Sequence, residues 1–388
     1  MKQLLLFFFF SFSLLSSQTL KKIKIADAET GKAISNARII LAGQIYYSND
    51  DGYTSLPKDA KQFEVSVSGY ETLNTSAISD LVKLKPLYKV IAEIKIVSID
   101  IKKIFKEVYK NYSDKYYDKP ATYDITFWQK SFENNQMKLL MVADGQYWTR
   151  DGNFHGKEAF HKKFDNFVQM QIDNLRYLKS EKRDFDIKVK PQKGYNEFIG
   201  NLFFNYELHR IISLSNQRKA VTSARVLYED ENHQEISFKV KTDVNLIYTG
   251  TIIYNKLDRV ITHYQMNFEQ KNHEPREYRD ETGEIYKFQY PDGIFTFDFY
   301  KNGEKYVPSR TSINYAGSKY MQGDRSFEYQ SSREIIYKKF KPSDANGLKN
   351  PVEINEPFWT NMKVSDDKGF VDLSEEEQNF LNEKKDEN

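Results

Sequence analysis

Cysteine is absent from all 388 residues. That excludes disulfides, thiolate metal ligands and a cysteine nucleophile, and it leaves no thiol behind the N-terminus to carry a lipid. Stability therefore has to come from burial, and the 15% aromatic content supplies large side chains to bury. An excess of one charge is lacking too. With 57 basic and 55 acidic side chains the net charge is +2, far from the basic surplus of a nucleic-acid surface. Neither Gly-x-Gly-x-x-Gly nor a Gly-Lys-Ser/Thr ending occurs, so no phosphate-cradling loop is visible. No Gly-x-Ser-x-Gly elbow presents a serine nucleophile.

Long apolar runs are missing except at the start. Met1-Lys2-Gln3, the stretch Leu4–Leu15 and Ser16-Ser17-Gln18 give a basic start, an apolar middle and a small-residue exit, the pattern of a secretory leader. A bilayer span needs roughly 20 apolar residues, more than this run offers. Cleavage is expected near Ser17, with a retained N-terminal anchor as the alternative. The expectation is an exported chain, periplasmic, attached at an outer membrane or secreted, with no transmembrane segment after maturation.

Residues 18–88 carry short alternating strands separated by acidic and glycine turns. Ile23-Lys24-Ile25-Ala26 is followed by Asp27-Ala28-Glu29-Thr30-Gly31, then Ala37–Leu41, Ile45–Tyr47, and Asn49-Asp50-Asp51-Gly52 leading into Tyr53. Phe63, Val65 and Val67 alternate with Glu64, Ser66 and Ser68 before Gly69-Tyr70, and Val82–Leu84 closes the set. Such a segment reads as a small β-sandwich, with Gly at turn positions that need positive φ and Asp side chains capping turn amides. The order Asp-x-x-Thr-Gly, a small Ala37, the Asp50-Asp51-Gly52 turn and Gly69-Tyr70 resembles the carboxypeptidase-regulatory-like domain, a transthyretin-like module. The resemblance covers less than a fifth of the chain. It implies an Ig-like β-sandwich that accompanies a function without performing one.

Residues 89–120 read as a strand, Val90–Val97, and an amphipathic helix. Ile101, Ile104, Phe105, Val108 and Tyr112 recur three and four apart behind the capping residues Ser98 or Asp100. Tyr123–Lys130 then alternates, and Asn134-Asn135 turns it into Met137–Asp144. Sandwich, strand, helix and aromatic strand pair in this order resemble a group of exported regulatory-like proteins of Gram-negative envelopes. Phe164–Leu178 has helical spacing, and from about 186 to 342 strand signals dominate, among them Val221–Tyr228, Leu246–Tyr254, Val260–Phe268 and Tyr306–Tyr315. The expected fold is mainly β: the sandwich, then a large antiparallel β-rich domain over 121–342 with a few helices, then a polar tail over 343–388. Tyr248–Asn255 followed by Val260–Tyr264 resembles the hairpins of half-barrel lipoprotein carriers, which implies a curved sheet holding a hydrophobic ligand.

Candidate chemistry is sparse. His155 and Glu158 stand as His-x-x-Glu, the spacing of two zinc ligands in metallocarboxypeptidases, and form the alternative metal pair. A zinc site needs a further protein ligand. His161 lies too near in sequence for that role, and His263 and His273 lack the expected apolar strand context. Asp50-Asp51, Asp230-Glu231 and Asp366-Asp367 sit in turn-like runs of solvated character. Aromatic residues around strand ends can stack on sugars or line an apolar groove, or simply fill a core. Trp148, Phe203, Phe204 and Tyr206 are the candidates for ligand or partner contact, because Gly200–Tyr206 departs most from alternation and reads as a contacting loop. The sequence points to a non-enzymatic binding or scaffold protein of the cell envelope with no cofactor and no nucleic-acid partner. Its partner would be an envelope protein, a polysaccharide or a hydrophobic ligand. The alternatives are a carboxylate- or zinc-dependent hydrolase and a carrier of a hydrophobic ligand in a curved sheet.

Overall fold

The structure, a computed structural model, describes residues 20–87, 99–184, 202–270, 273–343, 346–354, 358–366 and 371–383. The expected leader and the strand at 90–97 lie outside the described residues, as does the stretch 185–201 where strand signals were expected to resume.

Seven short strands build the N-terminal part: β1 (Leu20–Asp27), β2 (Arg38–Leu41), β3 (Gln44–Tyr47), β4 (Tyr53–Pro57), β5 (Phe63–Ser66), β6 (Leu73–Thr75) and β7 (Leu81–Leu84). They form two sheets, ordered β4-β1-β7 and β3-β2-β5-β6. Their inner faces share one core of Ile23, Ile25, Ile39, Leu56, Phe63 and Val65. The turns work as the sequence suggests. Asp27 Oδ1 accepts from the amides of Glu29 and Thr30, each at 2.8 Å, and its second oxygen accepts from the Tyr70 hydroxyl at 2.9 Å. Gly52 has φ +80°, and a Cβ there would press on the Ile25 carbonyl, so only glycine fits.

All the remaining strands join one antiparallel sheet of twelve. They are β8 (Ala121–Glu133), β9 (Gln136–Thr149), β10 (Val168–Ser180), β11 (Val221–Glu229), β12 (His233–Lys241), β13 (Ile247–Asn255), β14 (Val260–Glu269), β15 (Arg276–Arg279), β16 (Ile285–Gln289), β17 (Asp292–Asn302), β18 (Lys305–Gln322) and β19 (Arg325–Pro342). Ten run in the order β10-β9-β8-β19-β18-β17-β14-β13-β12-β11, and β16, carrying β15, pairs with the far half of β18. Asn134 and Asn135 take φ of 50° and 64°, the left-handed pair that a tight hairpin between β8 and β9 requires.

Cross-strand register turns the two-residue period into two chemically distinct faces. Ile236, Ile252, Tyr264, Phe297, Thr311, Ile335, Phe127 and Ala143 lie opposite one another on successive strands, and all are buried. One residue further along each strand, Ser237, Thr251, Gln265, Thr296, Ser312 and Glu334 line up on the other face. The apolar face is covered by α1 (Ile101–Lys110), α2 (Tyr112–Lys115) and, through Phe204, Leu208 and Ile211, a later helix spanning Phe204–Ser215. Asp100 caps α1 by accepting from the Lys103 amide at 3.1 Å. On β8–β10 the same role falls to Leu202 and Phe203 and to the C-terminal segment around Ile354 and Phe358.

Two expectations need correction. Phe164–Leu178 is not a helix. A single 3₁₀ turn at Phe164–Asn166 leads into β10, whose Val168, Met170 and Ile172 alternate and pair with the free edge of β9. Spacings of three and four there coincide with a period-two pattern, and edge pairing decides. Conversely, Phe204–Ser215, expected to begin in a loop, is a twelve-residue helix. It is α4 in chain order, after the short α3 (Gly156–Phe160). Its fully buried Glu207 pairs with Arg210 at 2.9 Å and accepts from the Tyr264 hydroxyl at 3.1 Å. The polar C-terminus ends in α5 (Glu375–Asn382), started by a capping box of Ser374 and Glu377. Among the described residues no helix is long and apolar enough to cross a membrane.

Gly250 faces the Phe238 ring and the Gln265 carbonyl so closely that any Cβ would overlap both. Gly250→Ala is therefore expected to lower unfolding stability by about 1–3 kcal/mol through overpacking. Urea denaturation midpoints check this, and an unchanged midpoint would contradict the register described above.

Candidate functional site

The sandwich docks on the polar face of the large sheet. Arg38 of β2 donates through Nη1 to the Phe299 carbonyl at 2.7 Å, and the Tyr47 hydroxyl of β3 meets Ser309 Oγ at 2.8 Å. Ser68 Oγ donates to Glu235 Oε1 at 3.2 Å. A second anchor runs through the C-terminus. Asn49 and Ser55 donate to Asp372, the Glu375 amide donates to Asp51, and Lys130 of β8 pairs with Glu377 at 2.8 Å and Asp50 at 3.4 Å. α5 sits beside the sandwich on this face, packing Leu373 and Phe380 onto Leu140 and Val142.

Between these anchors the two surfaces stay apart and enclose a cleft of about 710 Å3. That lies within the roughly 300–1,000 Å3 of small-molecule sites, which favour domain interfaces. Its floor is the polar rows of β13, β14, β17 and β18, with Thr251, Gln265, Thr296 and Ser312 in one row and His263, Asp298 and Arg310 in the next. Its roof is the β5–β6 region, with Ser66, Val67 and Tyr70, together with Asn36, Arg38 and Tyr47. Tyr228 and Glu235 close one side.

A charged ladder crosses the floor. His263 Nδ1 lies 2.6 Å from Asp298 Oδ1, Arg310 Nη1 lies 4.0 Å from Asp298 Oδ2, and Arg310 Nε donates to Glu334. The Arg310 guanidinium also lies over the Tyr47 ring, 5.5 Å from its centroid, so the ladder ends against the sandwich. Burial pushes the Asp298 carboxyl up, but the charge and hydrogen bond of His263, then Arg310 and Arg38, outweigh it and hold the group below the usual aspartate range. Burial and the Asp298 charge push the Tyr47 phenol upward, so it stays a neutral hydrogen-bonding hydroxyl. Two buried polar atoms of cleft residues have no hydrogen-bond partner: Arg38 Nε and Ser312 Oγ.

None of the favoured candidates, Trp148, Phe203, Phe204, Tyr206, His155 and Glu158, lines this cleft, whereas His263 and Asp230, set aside in the sequence as metal or acid candidates, do. Phe203, Phe204 and Trp148 are core side chains, each 2–3% exposed, and Tyr206 packs on Phe154 at 4.7 Å between ring centroids. Phe203 and Phe204 straddle the start of α4, where burying both rings orients the helix on the sheet. They do not form an exposed contact loop. Beside Phe203 and Phe204, among the described residues, lies a cavity of about 40 Å3 lined by Tyr112, Tyr123 and Tyr337 among others, itself smaller than a hydrophobic ligand needs. His155 precedes α3 and Glu158 lies within it, outside the cleft, with His155 Nδ1 3.9 Å from Glu158 Oε1. His155 Nε2 sits 2.9 Å from Asp151, while Glu158 is taken by Arg150 at 2.9 Å and held below the usual glutamate range, chiefly by that hydrogen bond. Among the described residues no three metal-ligating side chains converge. The cleft residues carry a faint sequence signal. Arg310, Ser312 and Asn314 alternate along one strand, as an ordinary solvated face also would.

No family model matches the chain, and no curated protein matches it. Among solved structures, the chain is similar to lipovitellin, with 9% identity and a TM-score of 0.25 over 61% of this chain. It spans 27% of the length of that protein. Two structures of MucB with MucA, one of them from Pseudomonas aeruginosa, align over 64% of this chain and 100% of theirs, at 6% and 5% identity and TM-scores of 0.18.

Asp298 sets an acid limb for stability. Its folded carboxyl titrates lower than in the unfolded chain, so its contribution is complete above about pH 4 and disappears as pH falls through the lower folded value. Asp298→Asn should cost about 2–4 kcal/mol at pH 7, since His263 and Arg310 lose their buried anion, and should flatten the decline below pH 4. Unfolding midpoints from pH 3 to 7 give both readings. In the core, Phe204→Ala should cost about 3–5 kcal/mol, whereas Phe160→Ala, at a residue 76% exposed, should stay within about 0.5 kcal/mol. Equal effects from the two would be incompatible with the burial described.

Proposed function

We propose that this chain is an exported, non-enzymatic binding protein of the cell envelope whose ligand sits in the cleft between the sandwich and the large sheet. One observation carries this reading. A cleft of about 710 Å3, the size of a small-molecule site, lies between the sandwich and the sheet, and Thr251, Gln265, His263 and Arg310 stand along its floor. Polar side chains facing such a space are satisfied by water or by a bound polar molecule. The leader-like N-terminus supports export, and the regulatory-like resemblance of residues 18–88 supports an accessory role in which the sandwich forms the roof of the site.

The charged ladder favours holding a ligand over attacking one. A glycosidic mechanism needs one carboxyl kept protonated as general acid, whereas Asp298 is held ionised by His263, Arg310 and Arg38. His263 is in turn tied to Asp298 through Nδ1.

The absence of cysteine provides a clean test. Thr72 is exposed and lines the cleft, so Thr72→Cys creates one unique labelling site for an environment-sensitive dye. Titration with sugars, amino acids, nucleosides and short peptides should give a saturable emission change for at least one class. Gln265→Trp, which fills the floor, should abolish it. If every class leaves the emission unchanged, the cleft is not a binding site.

A further inference from the structure

We infer that the outer face of α1 is a contact surface for an anionic lipid bilayer. This goes beyond the cleft and is independent of what the cleft holds. α1 lays Ile101, Ile104, Phe105 and Val108 against the large sheet. Its opposite side carries Lys103, Lys106 and Lys110, spaced three and four apart and all exposed, so they form one stripe along the helix. The single acid of the helix, Glu107, is taken by Arg259 at 3.0 Å. Among the described residues none of the three ammoniums has an ion-pair partner. The helix's own stability does not call for this placement. The N-terminal end of a helix carries partial positive charge, which favours Asp or Glu in the first turn. Behind its Asp100 cap, the first turn of α1 holds no acid and places Lys102 and Lys103 there instead.

Apolar groups accompany the stripe. Tyr109, three residues after Lys106, is 41% exposed, with its ring 6.0 Å from that of His209 on α4. The Arg259–Glu107 pair sets the β13–β14 turn beside α1, and on that turn Leu257 is 73% exposed. Unpaired ammoniums with an exposed tyrosine and leucine among them match the interfacial zone of a bilayer. There the cations meet anionic headgroups and tyrosine rings lie at headgroup depth. A soluble anionic polymer would use the lysines and leave Tyr109 and Leu257 in water. α1 covers the face of the sheet opposite the cleft, so contact through it leaves the cleft open to solvent.

Vesicle sedimentation of the intact protein tests this. Mixed phosphatidylglycerol–phosphatidylcholine vesicles should carry the protein down at low salt and release it at high salt. Vesicles of phosphatidylcholine alone should leave it in solution. Combining Lys103→Gln, Lys106→Gln and Lys110→Gln should weaken binding roughly a hundredfold, about fivefold for each lysine near an anionic surface. The same variant should melt at or above the wild-type temperature, because exposed Gln and Lys have similar helix propensity. Combining Lys32→Gln, Lys58→Gln and Lys61→Gln removes equal charge from exposed lysines of the sandwich and should bind as wild type. Tyr109→Ser should weaken binding several-fold with the charge untouched. If the sandwich variant loses as much as the α1 variant, overall charge drives binding and the inference falls. If oligoglucuronate binds through the α1 lysines while anionic vesicles do not, the face serves a soluble polymer and the bilayer assignment is overturned. No sedimentation with anionic vesicles at low salt overturns it as well. The Thr72→Cys titration reads the cleft separately, so failure here leaves that reading intact.

Discussion

Everything in this protein depends on the two-residue period of a β-strand, kept in register through the middle of the large sheet although bulges shift the ladders elsewhere. Because successive side chains point to opposite faces, one register decides both what the protein buries and what it presents. The row from Ile236 to Ala143 must be covered by apolar groups, and α1, α4 and the C-terminal segment are amphipathic in the way that covering requires. Shifting any central strand by one residue would bring Gln265, Thr296 and Ser312 under the helices and put Tyr264 and Phe297 into the cleft. Such a slip would bury several polar groups without partners, so the register is strongly specified.

The polar face has no such obligation, and that is why a cleft exists. The sandwich reaches the sheet through Ile45, buried in a cluster with Tyr300 and Val307, and through directed contacts, Arg38 to Phe299, Tyr47 to Ser309 and the cation over Tyr47, while the C-terminal strap holds its far side. Between those anchors, serine, threonine and glutamine side chains cannot close-pack against another polar surface without losing hydration. A space lined by them persists because filling it with protein would leave groups unsatisfied.

How much of this was legible in the sequence follows from the range of each interaction. Turns and caps were, because they are local: Asp27 over its own turn amides, Gly52 at positive φ, Asp100 at the head of α1, Asn134-Asn135 between β8 and β9. The alternation of β5, β8, β13 and β14 was visible for the same reason. β10 was misread because its spacings fit two periods, and only the exposed edge of β9 chose between them. Phe203 and Phe204 were misread because an aromatic pair beside a glycine-asparagine run looks alike at a binding loop and at the buried entrance to a helix. His263, Asp298 and Arg310 stand on three different strands and were indistinguishable from any solvated face until pairing set them side by side.

The sequence by itself determined a mainly β chain, a small N-terminal sandwich, stability without disulfides and a leader-like start, since composition and short-range pattern govern these. The tertiary structure decided that one polar face would lie beneath the sandwich and the other face beneath helices. It also decided that an ordinary alternation of Thr, Gln and Ser would become a cleft floor. The physical reason is that burial of a polar strand face is a property of what docks on it, and docking joins residues such as Arg38 and Phe299, or Tyr47 and Ser309, that lie some two hundred and sixty positions apart.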